Sequence, residues 1–124
     1  MFSVVMLVCN DLARSRDFYK NVMGIKLLSD RSPHWVEFEL QPGITFGLHQ
    51  GSELLAVRPG SLQLGFTVDN VDKFVADCGT LKVPILQYPY IEGQLRIAVI
   101  SDPDGYPIQI GSPLRGDASR RTSG

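Results

Sequence analysis

The sequence has no long apolar run, no cluster of basic residues in its body, and only two cysteines among 124 residues. Each shortage excludes something. A membrane-spanning helix needs about 20 predominantly apolar residues, and the apolar runs here are far shorter, so no such helix is expected. The opening "MFSVVMLVCNDL" has no basic segment ahead of its apolar stretch and meets Asp11 early, unlike a secretory leader. The expectation is a cytoplasmic protein. Twelve Lys and Arg stand against thirteen Asp and Glu, for a net charge of −1. That balance lacks the phosphate-neutralising stripe a nucleic-acid-binding protein needs, and the pair Arg120 and Arg121 is too short to supply one. Cys9 and Cys78 lie in apolar surroundings without Cys-x-x-Cys spacing, which reads as buried reduced thiols and not as a disulfide or metal pair.

What is present is the composition of an ordinary globular chain, 44% hydrophobic and 20% charged. A chain of this length forms one domain and buries about two thirds of its unfolded surface. Periodicity then divides it into two similar halves. "FSVVMLV" is a short β-type run that breaks at Asn10 and Asp11, either of which can cap a helix. From Leu12 a helical stripe of Phe18, Tyr19, Val22 and Met23 follows, with Gly24 as its stop. "IKLLSD", "HWVEFEL" and "ITFGLHQ" read as strands separated by the turns "RSP" and "QPG".

The second half repeats the plan. "LQLGFTV" is a strand, "DN" a cap, and Val71, Phe74, Val75 and Cys78 fall on one helical face before Gly79, which reads as the stop. Strands follow at "VPILQYP", "LRIAVIS" and "YPIQIGS", the last two joined through the turn "DPDG". An offset of 59 residues lays Val4 on Gln63 and Leu12 on Val71, so the duplication is one of architecture more than identity. The organisation expected is a single domain over residues 1–113: module one at about 1–50, a linker at about 51–61, module two at about 62–113. A polar tail at 114–124 is expected to be flexible.

Three motifs, in order and spacing, resemble those of the vicinal oxygen chelate superfamily, which includes glyoxalase I, extradiol dioxygenases and bleomycin resistance proteins. "VCNDLARSRDFYKNVMGIKLL" is similar to that family's first strand, helix and second strand. "FTVDNVDKFV" is similar to the opening of its second module, and "DPDGYPIQI" to its closing hairpin. The resemblance covers roughly residues 1 to 112. It implies an α+β fold of two βαβββ modules whose curved mixed sheets form a trough, the glyoxalase/bleomycin resistance fold. It also implies four inward positions that hold a metal in the metal-dependent members, commonly as His, Glu, His and Glu.

Carried onto this chain, those positions read Val4, Gly47, Gln63 and Gln109, and a two-residue shift of the fourth strand would bring His49 to the place of Gly47. Valine and glycine side chains supply no ligand, and a neutral amide is a weak substitute for a carboxylate. The expectation is therefore no metal and no cofactor. The implied trough would carry Gln63, Gln109 and His49, with Met6 and Thr45 on the same faces. Gln63 and Gln109 could equally hydrogen-bond each other as buried amides. His49 could sit at a solvated strand end, and His34 is expected in solvent.

Arg96 in the seventh strand could pair with an anionic or carbonyl group of a ligand, or stand as a salt-bridged edge residue. Trp35, Tyr88 and Tyr90 could form a platform for a planar ligand, with core packing the alternative for Trp35. The reading reached from the residues and the resemblance together is a metal-free protein that binds a small organic molecule, planar or aromatic, for drug or metabolite sequestration, as a homodimer. The rival readings are a metal-dependent lyase, isomerase or dioxygenase with altered ligands, and a regulatory module with a vestigial trough.

Overall fold

The computed structural model describes residues 3–53, 55–60 and 62–114, so the polar tail beyond Leu114 lies outside the described residues. Two compact units divide between Pro59 and Gly60. Each contains one four-stranded mixed sheet and one helical segment, neither sheet closes into a barrel, and the architecture is the α+β pair of βαβββ modules expected. No helix among the described residues is long and apolar enough to cross a membrane.

In module one, β1 (Val4–Cys9) leads into α1 (Leu12–Asp17), and β2 (Lys26–Arg31), β3 (Trp35–Gln41) and β4 (Ile44–Gln50) follow. The sheet order is β1-β4-β3-β2, with β1 parallel to β4 and the other pairs antiparallel. Asp11 caps α1, its carboxylate accepting from the Arg14 amide at 3.1 Å, while Gln50 Oε1 accepts from the Leu12 amide at 2.9 Å. Beyond Asp17 the helix widens into a π-helical turn, Phe18–Val22, in place of the uniform α-helix expected, and Gly24 ends it at φ +69°. Leu12, Ser15, Phe18 and Tyr19 are buried on this segment. Tyr19 meets Phe46 edge-on at 4.8 Å between ring centroids and lies 6.5 Å from Phe38. With Leu7, Cys9, Val36 and Leu48 they form an aromatic-rich core on the helix side of the sheet.

In module two, β5 (Leu64–Thr67), α2 (Val71–Thr80), β6 (Ile85–Glu92), β7 (Leu95–Ser101) and β8 (Pro107–Pro113) repeat the plan in the order β5-β8-β7-β6. Asn70 caps α2 through Oδ1 to the Lys73 amide at 3.0 Å. The core is mostly aliphatic: Val71, Val75 and Cys78 of α2, with Ala98, Ile100, Ile108 and Ile110 of the sheet, and Tyr106 of the closing hairpin is buried as well.

Gly79 does not stop α2, contrary to expectation, because the helix passes through it to Thr80. The left-handed residue is Lys82 at φ 61°, with the Lys82 amide bonded to the Gly79 carbonyl at 3.1 Å and the Val83 amide to the Cys78 carbonyl at 2.8 Å. This is a Schellman ending that a lysine occupies in place of glycine. β6 also runs longer than read, to Glu92, through a register shift between Gln87 and Tyr90. The closing hairpin turns through "DPDG" as expected. The buried Asp102 carboxylate accepts from the Asp104 and Tyr106 amides, both at 2.9 Å, and Gly105 takes φ +90°. Cys9 and Cys78 are buried thiols outside any disulfide, and burial pushes the Cys78 thiol above its ordinary range.

Candidate functional site

Strand alternation sends one face of each sheet toward its helix and turns the other away from it. Because Leu7 and Cys9 face α1 in module one, Val4 and Met6 stand on the opposite face; Phe46 and Leu48 likewise leave Thr45, Gly47 and His49 there. Val36 and Phe38 leave Trp35, Glu37 and Glu39. In module two, Ile108 and Ile110 face α2, so Gln109 and Gly111 lie on the non-helix face with Gly65 and Thr67 of β5.

The ladders fix which positions correspond. Met6 pairs with Gly47 and Gly65 pairs with Gln109, and Met6 and Gly65 each stand five residues before their helix cap. Gly47 and Gln109 are therefore equivalent places in the two modules, while His49 lies one ladder rung beyond, opposite Val8 and Trp35.

Gly47 is buried beneath Trp35, and a Cβ at residue 47 would collide with the six-membered ring of the indole. Trp35 Nε1 donates to Glu37 Oε1 at 2.7 Å. His49 meets the indole at 6.0 Å between centroids, inclined by 68°, and its Nδ1 donates to the Gln50 carbonyl at 2.8 Å. That bond places a proton on Nδ1 and directs the acceptor function of the neutral ring to Nε2. Trp35 is half-buried on the non-helix face and so takes no part in the aromatic core behind the sheet. Across the edge, Lys26 lies opposite Glu39, Ser29 opposite Glu37 and Arg31 opposite Trp35.

In module two, Gln63, Leu64, Gly65 and Gln109 line an open hollow of about 300 Å³. Nothing would touch a Cβ added at Gly65, so the hollow stands over that glycine. Tyr90, on the same face opposite Ile97, donates its hydroxyl to Glu92 Oε2 at 3.0 Å, which holds its phenol above the usual range. Tyr88 is exposed.

Arg96 stands apart from these residues. It shares the helix side with its ladder partner Ser112 and forms a two-pronged pair with Asp72 of α2, Nε to Oδ2 at 2.7 Å and Nη2 to Oδ1 at 2.9 Å. The salt bridge of the second alternative is present, though β7 is an interior strand and not an edge, and the Asp72 carboxyl is held below its ordinary range by that guanidinium. His34 is exposed in its turn.

The donor chemistry does not fit a divalent metal of the kind the superfamily uses. Val4 and Gly47 offer no donor atom, Gln63 and Gln109 offer neutral amides, and the place of Gly47 is filled by the indole. Among the described residues, no three His, Cys, Asp or Glu side chains lie together as a metal group. The residue that sequence reasoning missed is Glu37. The alternation Trp35, Glu37, Glu39 against Val36, Phe38 was the available signal, but a carboxylate on a strand reads as solvent-facing until its partner is known.

A family model described as a glyoxalase-like domain matches residues 2–115. No curated protein matches the sequence. Solved structures share the fold. A glyoxalase/bleomycin resistance protein/dioxygenase family enzyme from Burkholderia phytofirmans PsJN superposes with a TM-score of 0.77 at 22% identity, over 90% of this chain and 98% of that one. A protein of unknown function from Agrobacterium tumefaciens str. C58 gives 0.74 at 26% identity, over 92% and 94%. A lactoylglutathione lyase from Agrobacterium tumefaciens gives 0.71 at 17% identity, over 90% and 92%. With the family model spanning nearly the whole sequence and both modules built to its plan, the chain belongs to the glyoxalase-like domain family.

Proposed function

We propose that this chain binds a small organic molecule without a metal ion, in the manner of a bleomycin resistance protein that sequesters its ligand. The observation that carries the reading is the indole of Trp35 over Gly47, a position to which the resemblance assigns a ligand in metal-dependent members. An aromatic ring offers stacking area and no coordinating atom. The binding residues on this reading are Trp35, His49, Met6 and Thr45 in module one and Gln63 and Gln109 in module two, with Tyr90 on the same face two strands away. A homodimer belongs to the same proposal, since the edge strands β2 and β6 carry exposed Leu28, Leu86 and Tyr88. Light scattering at twice the chain mass supports it, and a monomeric mass with the tail intact removes it.

The test of binding has two arms. Elemental analysis of the purified protein is expected to find no stoichiometric zinc, nickel, manganese or iron; near one equivalent, lost on Gln63→Ala or Gln109→Ala, overturns the metal-free reading. A thermal screen of antibiotics, aromatic metabolites and thiol conjugates is expected to give hits. A ligand at about 100 times its Kd adds about 2.7 kcal/mol, a rise of several degrees for a domain of this size. A hit that binds unchanged after Trp35, Gln63 and Gln109 all become alanine places the site elsewhere.

A further inference from the structure

The chemistry around Trp35 narrows the ligand class. Glu37 is half-buried on the non-helix face of module one, and one of its oxygens is held by the indole N–H at 2.7 Å. A carboxylate accepts at about four lone-pair positions, so this bond orients the group without saturating it. Its neighbour Glu39 has Lys26 directly across the ladder, whereas Glu37 has Ser29. On the same rung but beyond Gly47 and the indole over it, Met6 is 44% exposed, and Val4 one rung further along β1 is 48% exposed, so apolar side chains share this face with the oriented carboxylate. An aromatic ring, apolar side chains and a fixed carboxylate together favour a planar cation. The ring attracts positive charge over its face, and a forked pair of N–H donors matches a carboxylate.

We propose that Glu37 is a specificity-determining residue that receives an amidinium or guanidinium group of a planar ligand stacked at Trp35. The proposal rests on the small-molecule reading above and deepens it. Trp35 acts twice, as the surface the ligand lies against and as the donor that keeps Glu37 turned toward it.

Trp35 is the only tryptophan in the chain, so its fluorescence reports this place alone. Benzamidine, benzoate and benzyl alcohol serve as probes of similar shape and different charge. Benzamidine is expected to change Trp35 emission saturably, with benzoate giving no change at the same concentration and benzyl alcohol binding more weakly. Glu37→Gln is expected to weaken benzamidine by about tenfold or more, the scale of a lost hydrogen bond to a charged group. Glu37→Asp should restore part of the affinity, and Glu39→Gln should leave it unchanged. Unaltered melting temperature and emission maximum in the unliganded variants separate recognition from folding, and the contrast between the three probes on the unmutated chain needs no variant.

Benzoate or benzyl alcohol binding as well as benzamidine overturns the proposal, as does Glu37→Gln binding benzamidine normally, or no probe perturbing Trp35 up to millimolar concentration. Failure here with neutral or anionic hits in the thermal screen removes the cation and leaves small-molecule binding standing. An empty thermal screen removes the binding reading itself.

Discussion

Met6 with Gly47 in module one, and Gly65 with Gln109 in module two, occupy the same rung of the same ladder, yet the large and small partners are exchanged. In module one the glycine is on the last strand and is covered by Trp35; in module two it is on the first strand and lies beneath open space lined by Gln63 and Gln109. Behind the sheets the contrast continues, with an aromatic-rich core in one module and a mostly aliphatic core in the other. A duplicated plan thus specifies where side chains go and leaves free what they are. One copy presents a ring and a carboxylate, and its counterpart presents two amides.

The largest effect should come from the cores. Phe46→Ala removes a ring whose centroid lies 4.8 Å from that of Tyr19 and 6.1 Å from that of Phe38, and is expected to cost about 3–5 kcal/mol. Ile110→Val in module two is expected to cost about 0.5–1.5 kcal/mol. Denaturant titration measures both.

The two glycines come next. Gly47→Ala forces the indole off its seat and should cost about 1–3 kcal/mol by overpacking, with a shifted Trp35 emission maximum as the specific sign. Gly65→Ala meets nothing within contact range, so stability should change by under about 0.5 kcal/mol. If the two substitutions behave alike, the asymmetry described here is wrong.

The ends of the helices make a smaller contrast. Gly24 closes the first at φ +69° and Lys82 the second at φ 61°. A side chain in this conformation costs roughly 1 kcal/mol, so Gly24→Ala should destabilise and Lys82→Gly should stabilise by about that amount, read from paired thermal melts.

How much of this the sequence disclosed depends on whether a signal was local. Caps at Asn10–Asp11 and at Asp69–Asn70, "DPDG" as a turn and the limits of β4 and β7 follow from side chains acting on their own backbone, and the structure selects Asp11 and Asn70 within those pairs. Arg96 did not disclose its side. In "LRIAVIS" both alternating sets are apolar apart from the arginine, Leu95, Ile97 and Val99 against Ala98 and Ile100, so periodicity could not choose a face. Trp35 over Gly47 and its bond to Glu37 were hidden for another reason. They are side-chain placements between strands, and a single glycine in "ITFGLHQ" does not say what lies over it. The end of α2 escaped because a glycine inside a helix is tolerated when a later residue closes the ending, here a lysine in a conformation sequence rules assign to glycine.

The smallest expected effect belongs to the Arg96 and Asp72 pair, which is exposed to solvent and therefore screened. Because the Asp72 carboxyl titrates lower in the folded chain than when unfolded, its contribution is present above the ordinary carboxylate range and is lost as pH falls through the folded value. The stability difference between the unmutated chain and Asp72→Asn should therefore shrink to nothing in acid. A difference that persists there would mean that the pair acts through packing and not through charge.

A tryptophan seated on a glycine also orders the steps by which such a chain can change. A side chain at residue 47 and an indole in this pose exclude each other, so the indole keeps this seat only while residue 47 is glycine. Any substitution toward a ligand set is gated in the same way. Gly47→Glu, even joined by Val4→His, Gln63→His and Gln109→Glu, leaves the new carboxylate without room until residue 35 becomes smaller. A carboxylate at residue 47 thus needs two changes, at residue 35 and then at 47, and only that order gives it room.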